Sequence, residues 1–150
     1  MTTVTVTTTF AAPVKRVFDV FTDLERGAER VSNIQEIEVL TTGGFGLGTR
    51  WLETREMLGQ LGSAEMEVTA FERNRTYTIT HHKAGTRIDT VFTFEPSDHS
   101  TKVGVEFVLD SHGHPPGMLA PLGWAIAGKV RDVITRDLAD LKESIEQRPA

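Results

Sequence analysis

Between Ile34 and Asp110 the chain alternates apolar and polar residues with a period of two, interrupted only by short turn-forming links. That pattern constrains the fold more than any other feature. It predicts strands at about 34–42, 49–58, 63–72, 75–83, 86–95 and 101–110. The links are Gly43 to Gly48, Gly59 to Gly62, Arg73-Asn74, Ala84-Gly85 and Pro96-Ser97-Asp98. Links this short cannot carry a parallel crossover, so consecutive strands must run antiparallel, as a meander. Upstream, Val4, Val6, Thr8 and Phe10 alternate with Thr5, Thr7 and Thr9 as one more strand. Pro13 then opens a helical pattern, with Val14, Val17, Phe18 and Phe21 on one face. Thr22-Asp23 reads as a break and a new N-cap, and Leu24 to Arg30 as a second short helix. Downstream, Leu119, Leu122, Ile126, Val130, Ile134, Leu138, Leu141 and Ile145 step by three or four. Residues 118–145 would make a helix roughly 42 Å long. Strand, two short helices, six strands and a long helix is an α+β plan, with helices gathered on one face of an antiparallel sheet.

The 150 residues fit one domain, with an ordered core over about 3–146. The absence of cysteine excludes a disulfide scaffold, thiolate metal sites and a cysteine nucleophile. A formal charge of -5 argues against nucleic acid as a partner, because phosphate binding needs a basic surface. The apolar runs are far shorter than the ~20 residues of a membrane span, so stable membrane insertion is not expected. Met1 to Val6 has neither a basic nor an apolar leader segment, which predicts a cytoplasmic protein.

Four segments carry a family resemblance. They are Ala12-Pro13-Val14-Lys15-Arg16-Val17-Phe18-Asp19-Val20-Phe21-Thr22-Asp23-Leu24-Glu25-Arg26, Gly46-Leu47-Gly48-Thr49-Arg50-Trp51, Val68-Thr69-Ala70-Phe71-Glu72, and Leu138-Ala139-Asp140-Leu141-Lys142-Glu143-Ser144-Ile145-Glu146. With this element order, the chain resembles the START-like or SRPBCC superfamily, and within it the bacterial polyketide cyclase/dehydrase-type branch. The resemblance implies the helix-grip fold: a curved seven-stranded antiparallel sheet wrapped around the long C-terminal helix, with two short helices after the first strand. It also implies an elongated cavity for an apolar or amphipathic ligand. One departure stands out. Gly27-Ala28-Glu29-Arg30 occupies the place where the family often has Pro-x-Trp, with Arg30 at the position of the Trp.

Alternation sorts each strand into two faces. The inward sets are Ala64, Met66, Val68 and Ala70; Tyr77, Ile79 and His81; Ile88, Thr90, Phe92 and Phe94; and Val103, Val105, Phe107 and Leu109. On 49–58 both faces carry charge; Trp51, Glu53, Arg55 and Met57 are preferred inward for their stronger apolar ends. Expected ligand contacts are Trp51, Met66, Val68, Tyr77, Ile79, His81, Thr90, Phe92 and Phe107 from the sheet. Met118, Leu122 and Trp124 would join them from the helix. Tyr77 and His81 share a face roughly 13 Å apart and would address one long ligand. As wall residues they need only hydrogen bonds; as chemistry, with Glu53 or Arg55, they would supply acid, base and oxyanion groups. Glu53 and Arg55 can pair at i, i+2. A water-accessible position at the cavity mouth is favoured for them, because burying charge is costly.

Three further features carry less. Asp110, His112 and His114 lack a partner cluster at metal-binding distance, so no metal is expected, nor any cofactor. The His112 to Gly117 loop would border the cavity mouth. The glycines at 43, 44, 46 and 48 lack the Lys-Ser/Thr of a phosphate loop and run strand to strand; Phe45 and Leu47 would cap the cavity's second end. On the long helix, Lys129, Arg131, Asp132, Arg136, Asp137, Asp140, Lys142 and Glu143 read as a solvated face of mixed sign. The favoured function is a binding module for a small hydrophobic ligand. The alternative is a cyclase, aromatase or dehydratase in the same cavity. An open sheet edge at each end allows a monomer or a homodimer.

Overall fold

The structure is a computed structural model that describes residues 2–57, 59–83, 85–110 and 120–147, excluding the side chains of residues 57 and 120–126. The elements are β1 (Thr2–Phe10), α1 (Val14–Phe21), a 3-10 turn (Leu24–Arg26), α2 (Gly27–Arg30), β2 (Ile34–Val39), β3 (Arg50–Met57), β4 (Gln60–Glu72), β5 (Thr76–Lys83), β6 (Thr86–Ser97), β7 (Ser100–Asp110) and α3 (Ala120–Glu146). The strands form one antiparallel sheet in the order β1-β7-β6-β5-β4-β3-β2. The meander is therefore continuous from β2 to β7, and β1 closes onto β7, with Val6 opposite Val105.

Element boundaries differ from the alternation pattern where turn chemistry competes with it. β2 stops at Val39 rather than near 42, and β4 starts at Gln60 rather than 63. β6 runs through Pro96 to Ser97, and the turn tightens onto Asp98, whose φ is +53°. Asn74 plays the same part between β4 and β5 at φ +62°, a conformation Asn and Asp tolerate better than most residues. The second short helix is a 3-10 turn running into the four-residue α2. Gly27 opens α2 close to β2: a Cβ there would lie 2.6 Å from Ile37 Cδ1, so that side-chain end would have to turn aside. Asp23 does not cap this turn; its carboxylate pairs with Arg30 at 3.2 Å.

The core lies between the sheet and the helices. Val4, Phe10, Val17, Phe18, Trp51, Val68, Val103 and Val105 are sealed within it. Phe18 packs edge-on against Phe71, Tyr77 and Phe94, and Phe21 against Phe10, Phe92 and Phe94. The apolar face of α1 thus fills one end of the grip. Val130, Ile134, Leu138 and Ile145 place the apolar stripe of α3 on the same core.

The sheet must be curved. In a flat sheet β1 and β3 would lie five strand spacings apart, roughly 24 Å. Yet α3 touches both. It packs along β1, where Arg131 and Lys142 donate to the carbonyls of Thr5 and Thr9 at 3.1 and 2.8 Å. From the same helix Asp137 accepts from Arg55 of β3 at 2.9 Å. Bulges between Ile34 and Glu36 and between Val68 and Ala70 supply part of the bend.

Candidate functional site

The concave face is built from alternate residues of β3 to β7, and most sequence assignments to it hold. Trp51, Val68, Tyr77, Ile88, Phe94, Val103, Val105 and Phe107 are buried there. Met66, Ile79, Phe92 and Leu109 pack against the same cluster but remain partly open. Thr90 and His81, on the same face, are also half-buried. Ala70 departs from expectation. The bulge at Thr69 shifts the register by one, so Ala70 is exposed and Phe71 turns inward to meet Phe18. A single-residue slip reverses the face of every later side chain, and alternation alone does not show where the slip occurs.

The glycine-rich link divides similarly. Phe45 turns in, with its ring 5.0 Å from that of Tyr77 and 6.0 Å from that of Trp51. Leu47 does not cap anything; it is 72% exposed. Met118, His112 and His114 lie outside the described residues, as do the side chains of Leu122 and Trp124.

Glu53 and Arg55 are where the structure corrects the sequence most. Alternation and the cost of burying charge favour a water-accessible position for both, yet their side chains are only 11% and 19% exposed. The inward orientation of the Trp51 set places them there, and Asp137 of α3 completes the arrangement. Trp51 Nε1 donates to Glu53 Oε1 at 3.2 Å, Arg55 Nε donates to Glu53 Oε2 at 2.9 Å, and Arg55 Nη1 donates to Asp137 Oδ2 at 2.9 Å. One guanidinium therefore serves two carboxylates. Asp137 is 20% exposed, and among the described residues nothing hydrogen-bonds its Oδ1. It does not belong to the solvated helix face that the charge pattern suggests. Helical periodicity places it one position from Leu138 on the stripe, and only the sheet's curvature decides that β3 covers it.

Titration follows from these surroundings. Burial raises the Asp137 carboxyl; Arg55 opposes this, while Glu53 and Asp140 add to it. Burial works against the charge of Arg55, yet Glu53 and Asp137 outweigh it and hold the guanidinium above its ordinary value. Burial lifts the Tyr77 phenol far above its usual range, and Glu53 lifts it further. His81 is lowered by burial, opposed by Glu53 and reinforced by Lys83, His82 and Arg55. Glu53 thus acts on Tyr77, His81 and Arg55 together, so the four residues singled out as chemical candidates share one electrostatic neighbourhood. Among the described residues no hydrogen bond reaches the Tyr77 hydroxyl, although its ring is sealed and stacks on Phe92 at 4.7 Å.

Open hollows of about 520 and 550 Å³ lie at Leu40 to Thr49 and beside Glu72, Asn74, Thr93 and Pro96. Both are at hairpin ends outside the grip, whereas Glu53, Arg55, Tyr77 and His81 gather on the concave face, which is the candidate site. Among the described residues no group of three His, Asp or Glu side chains could hold a metal ion. Among the same residues no helix is long and apolar enough to cross a membrane.

An open seven-stranded antiparallel sheet gripping a C-terminal helix, with polar groups set into an apolar concave face, defines the helix-grip class. The family described as polyketide cyclase/dehydrase and lipid transport matches residues 1–146, and the chain belongs to it. Its fold is shared with a protein of Thermus thermophilus at 17% identity, TM-score 0.81 and 99% coverage of each chain. It is shared too with a START superfamily protein from Mycobacterium smegmatis, at 19% identity, TM-score 0.76 and 97% coverage of each chain. The Zhui aromatase/cyclase from Streptomyces sp. R1128 is 15% identical, with TM-score 0.81 and coverage of 97% of this chain and 94% of that one. No curated protein sequence matches the chain.

Proposed function

We propose that the protein binds a small apolar or amphipathic ligand, lipid-like or polyketide-like, between the concave sheet and α3. The observation that carries this reading is uneven sealing of one face. Val68, Tyr77, Phe94, Val103 and Val105 are buried, whereas Met66, Ile79, Phe92, Thr90 and His81 point the same way and stay partly open. Packed cores do not leave neighbouring inward side chains uncovered, and a partly apolar concavity with few polar groups is the usual form of a ligand site. Trp51, Phe107, Met118, Leu122 and Trp124 complete the proposed lining. The protein would act in the cytoplasm without a cofactor, as a monomer or homodimer.

Native mass spectrometry of freshly purified protein, with its organic extract, tests the reading. A stoichiometric small molecule is the expected result. Ala64→Trp, which fills a half-buried concave position, should abolish its retention. Retention unchanged by Ala64→Trp would place the site elsewhere.

A second reading has its own support. Arg55 between two carboxylates, with Glu53 in electrostatic reach of Tyr77 and His81, is a costly arrangement for a mere container. Under a cyclase or dehydratase reading these groups act on a carbonyl-rich substrate. His81→Ala or Tyr77→Phe would then cut turnover by orders of magnitude while binding persists. Under the binding reading the same changes only weaken retention.

A further inference from the structure

Charge and aromatic area divide the concave face between its two ends. Tyr77 lies between Phe71 and Phe92 in register, its ring stacked on Phe92 at 4.7 Å and met edge-on by Phe45 at 5.0 Å. Glu53 lies opposite Ala64, seven positions from Phe71 along β4. There Arg55 donates to Glu53 and to Asp137, each at 2.9 Å, and the three side chains are 19%, 11% and 20% exposed. Trp51 joins the two ends: its ring is 6.0 Å from that of Phe45, and its Nε1 donates to Glu53. On the inward positions of β2 to β7, among the described residues, the only cation besides Arg55 is Lys83, which is exposed at the end of β5. Residues 111–126 contain neither Lys nor Arg. The enclosed charge is therefore two carboxylates on one guanidinium. It is negative with Asp137 ionised, neutral with Asp137 protonated, and positive in neither state.

We propose that the Glu53–Arg55–Asp137 end of the concave face is a head-group subsite: it selects an amphiphile whose polar head donates hydrogen bonds, a hydroxyl or an ammonium, and turns away carboxylate, sulfate and phosphate heads. This rests on the binding reading above and adds to it the chemistry of the ligand's head. Enclosure is what gives the charges their effect, because the same pair of charges interacts several times more strongly where water is displaced than in bulk. An anionic head brought to this end meets two carboxylates, and the one guanidinium already serves both. A hydroxyl or ammonium finds oxygens that accept, since each ionised carboxylate offers about four lone-pair sites. The apolar remainder of the ligand then lies along Trp51 and Phe45 toward the Tyr77–Phe92 stack, where its burial supplies the affinity.

The test is displacement of N-phenyl-1-naphthylamine, an uncharged dye, by 1-decanol, decylammonium and decanoate at pH 7.5, below micelle formation. The three competitors share one chain and differ only in the head. Decanol and decylammonium should each displace the dye at concentrations at least about tenfold below decanoate, as like-charge contact in an enclosed site requires. The two ions make the decisive pair, because an uncharged apolar cavity penalises both alike. A surface charge of -5 also favours a cation, so the pair is measured again in about 0.5 M salt, where screening shortens to about 4 Å. The preference for decylammonium should persist there. Glu53→Gln keeps an acceptor for Trp51 and Arg55 and removes one negative charge, so it should narrow the preference at least about threefold. Decanoate binding as tightly as decylammonium, a preference lost in salt, or one untouched by Glu53→Gln overturns the subsite. A decanoate preference that Lys83→Met abolishes overturns it in favour of an anion site at Lys83. If Glu53→Gln fails to fold, the wild-type pair in salt decides alone. Dye displaced equally by all three leaves the cavity standing and refutes the subsite; a protein that takes up no dye refutes the binding reading and the subsite with it.

Discussion

Replacing Arg55 with methionine removes the one cation from a buried network and leaves Glu53 and Asp137 facing each other at 11% and 20% exposure. Breaking a buried pair by deleting one partner costs about 3–5 kcal/mol, because the charge left behind has lost both water and counterion. Here two such charges remain, but they can escape by taking up protons, which caps the loss. A domain of this size shifts its midpoint by about 2–4 °C per kcal/mol, so Arg55→Met should lose about 10 °C or more at pH 8. The pH dependence separates this cause from a simple packing defect. Without Arg55, the Asp137 carboxyl, raised by burial and by Glu53, loses the group that opposes that rise. Groups raised on folding contribute stability that is present below their unfolded values and lost as pH rises through their folded values. The deficit of Arg55→Met should therefore be largest at pH 8 and shrink steadily toward pH 5. Urea unfolding of both proteins across that range, followed by tryptophan fluorescence, measures it. Trp51, hydrogen-bonded to Glu53, lies within the network. A deficit below about 1 kcal/mol, as for an exposed pair, or one independent of pH, would refute the argument that Arg55 neutralises buried carboxylates.

Three other outcomes follow from single contacts. Gly27→Ala should change stability in thermal melts by no more than about 1 kcal/mol, because its methyl meets Ile37 Cδ1 at 2.6 Å but that side-chain end can turn aside, and Ala suits a helix better than Gly. Thr101→Val should lower urea stability by about 1–3 kcal/mol, since the buried Thr101 hydroxyl donates to the Ala12 carbonyl at 2.9 Å and its loss strands that oxygen. Tyr77 is the chain's single tyrosine, so absorbance at the tyrosinate band reads it alone. Its raised ionisation means the folded phenol keeps its proton above pH 10, the stability it contributes is lost as pH climbs past the unfolded value, and the signal should appear together with alkaline unfolding. A separate tyrosinate transition near pH 10 in folded protein would contradict its burial.

The meander is legible because alternation is a local property, written into each strand independently of its neighbours. The inward sets on β5, β6 and β7 are correct for that reason, as is the stripe of α3 from Val130 to Ile145. What alternation misses is non-local. Ala70 and Phe71 exchange faces because a bulge shifts the register of β4 against β5 between Val68 and Ala70, and Thr69 reads like any other polar residue of a strand. Leu47 and Phe45, equally apolar and two residues apart, separate because Phe45 finds Trp51, Phe71 and Tyr77 while nothing covers Leu47.

The site is half legible for a related reason. Glu53, Arg55, Tyr77 and His81 can be placed on one face from their strands alone. Their environment cannot, because a curved sheet brings a helix over β3 that a flat one would hold roughly 24 Å from β1. Curvature turns Asp137 from a surface charge into the second acceptor of Arg55, and it removes Glu53 and Arg55 from water. The chemistry of the site is thus set by a contact between residues 82 positions apart. The same contact explains why the charges are tolerated. Arg55 reaches across the gap that the helix leaves on the β3 side, where an apolar chain of similar length would meet two carboxylates. Toward β1, where the backbones pack closely, the ties of Arg131 and Lys142 run to neutral carbonyls. An edge fastened to backbone groups differs in kind from an edge where one guanidinium is set between two carboxylates. The grip is asymmetric in its electrostatics before any ligand is considered, and the asymmetry lies along the rim of its partly uncovered face.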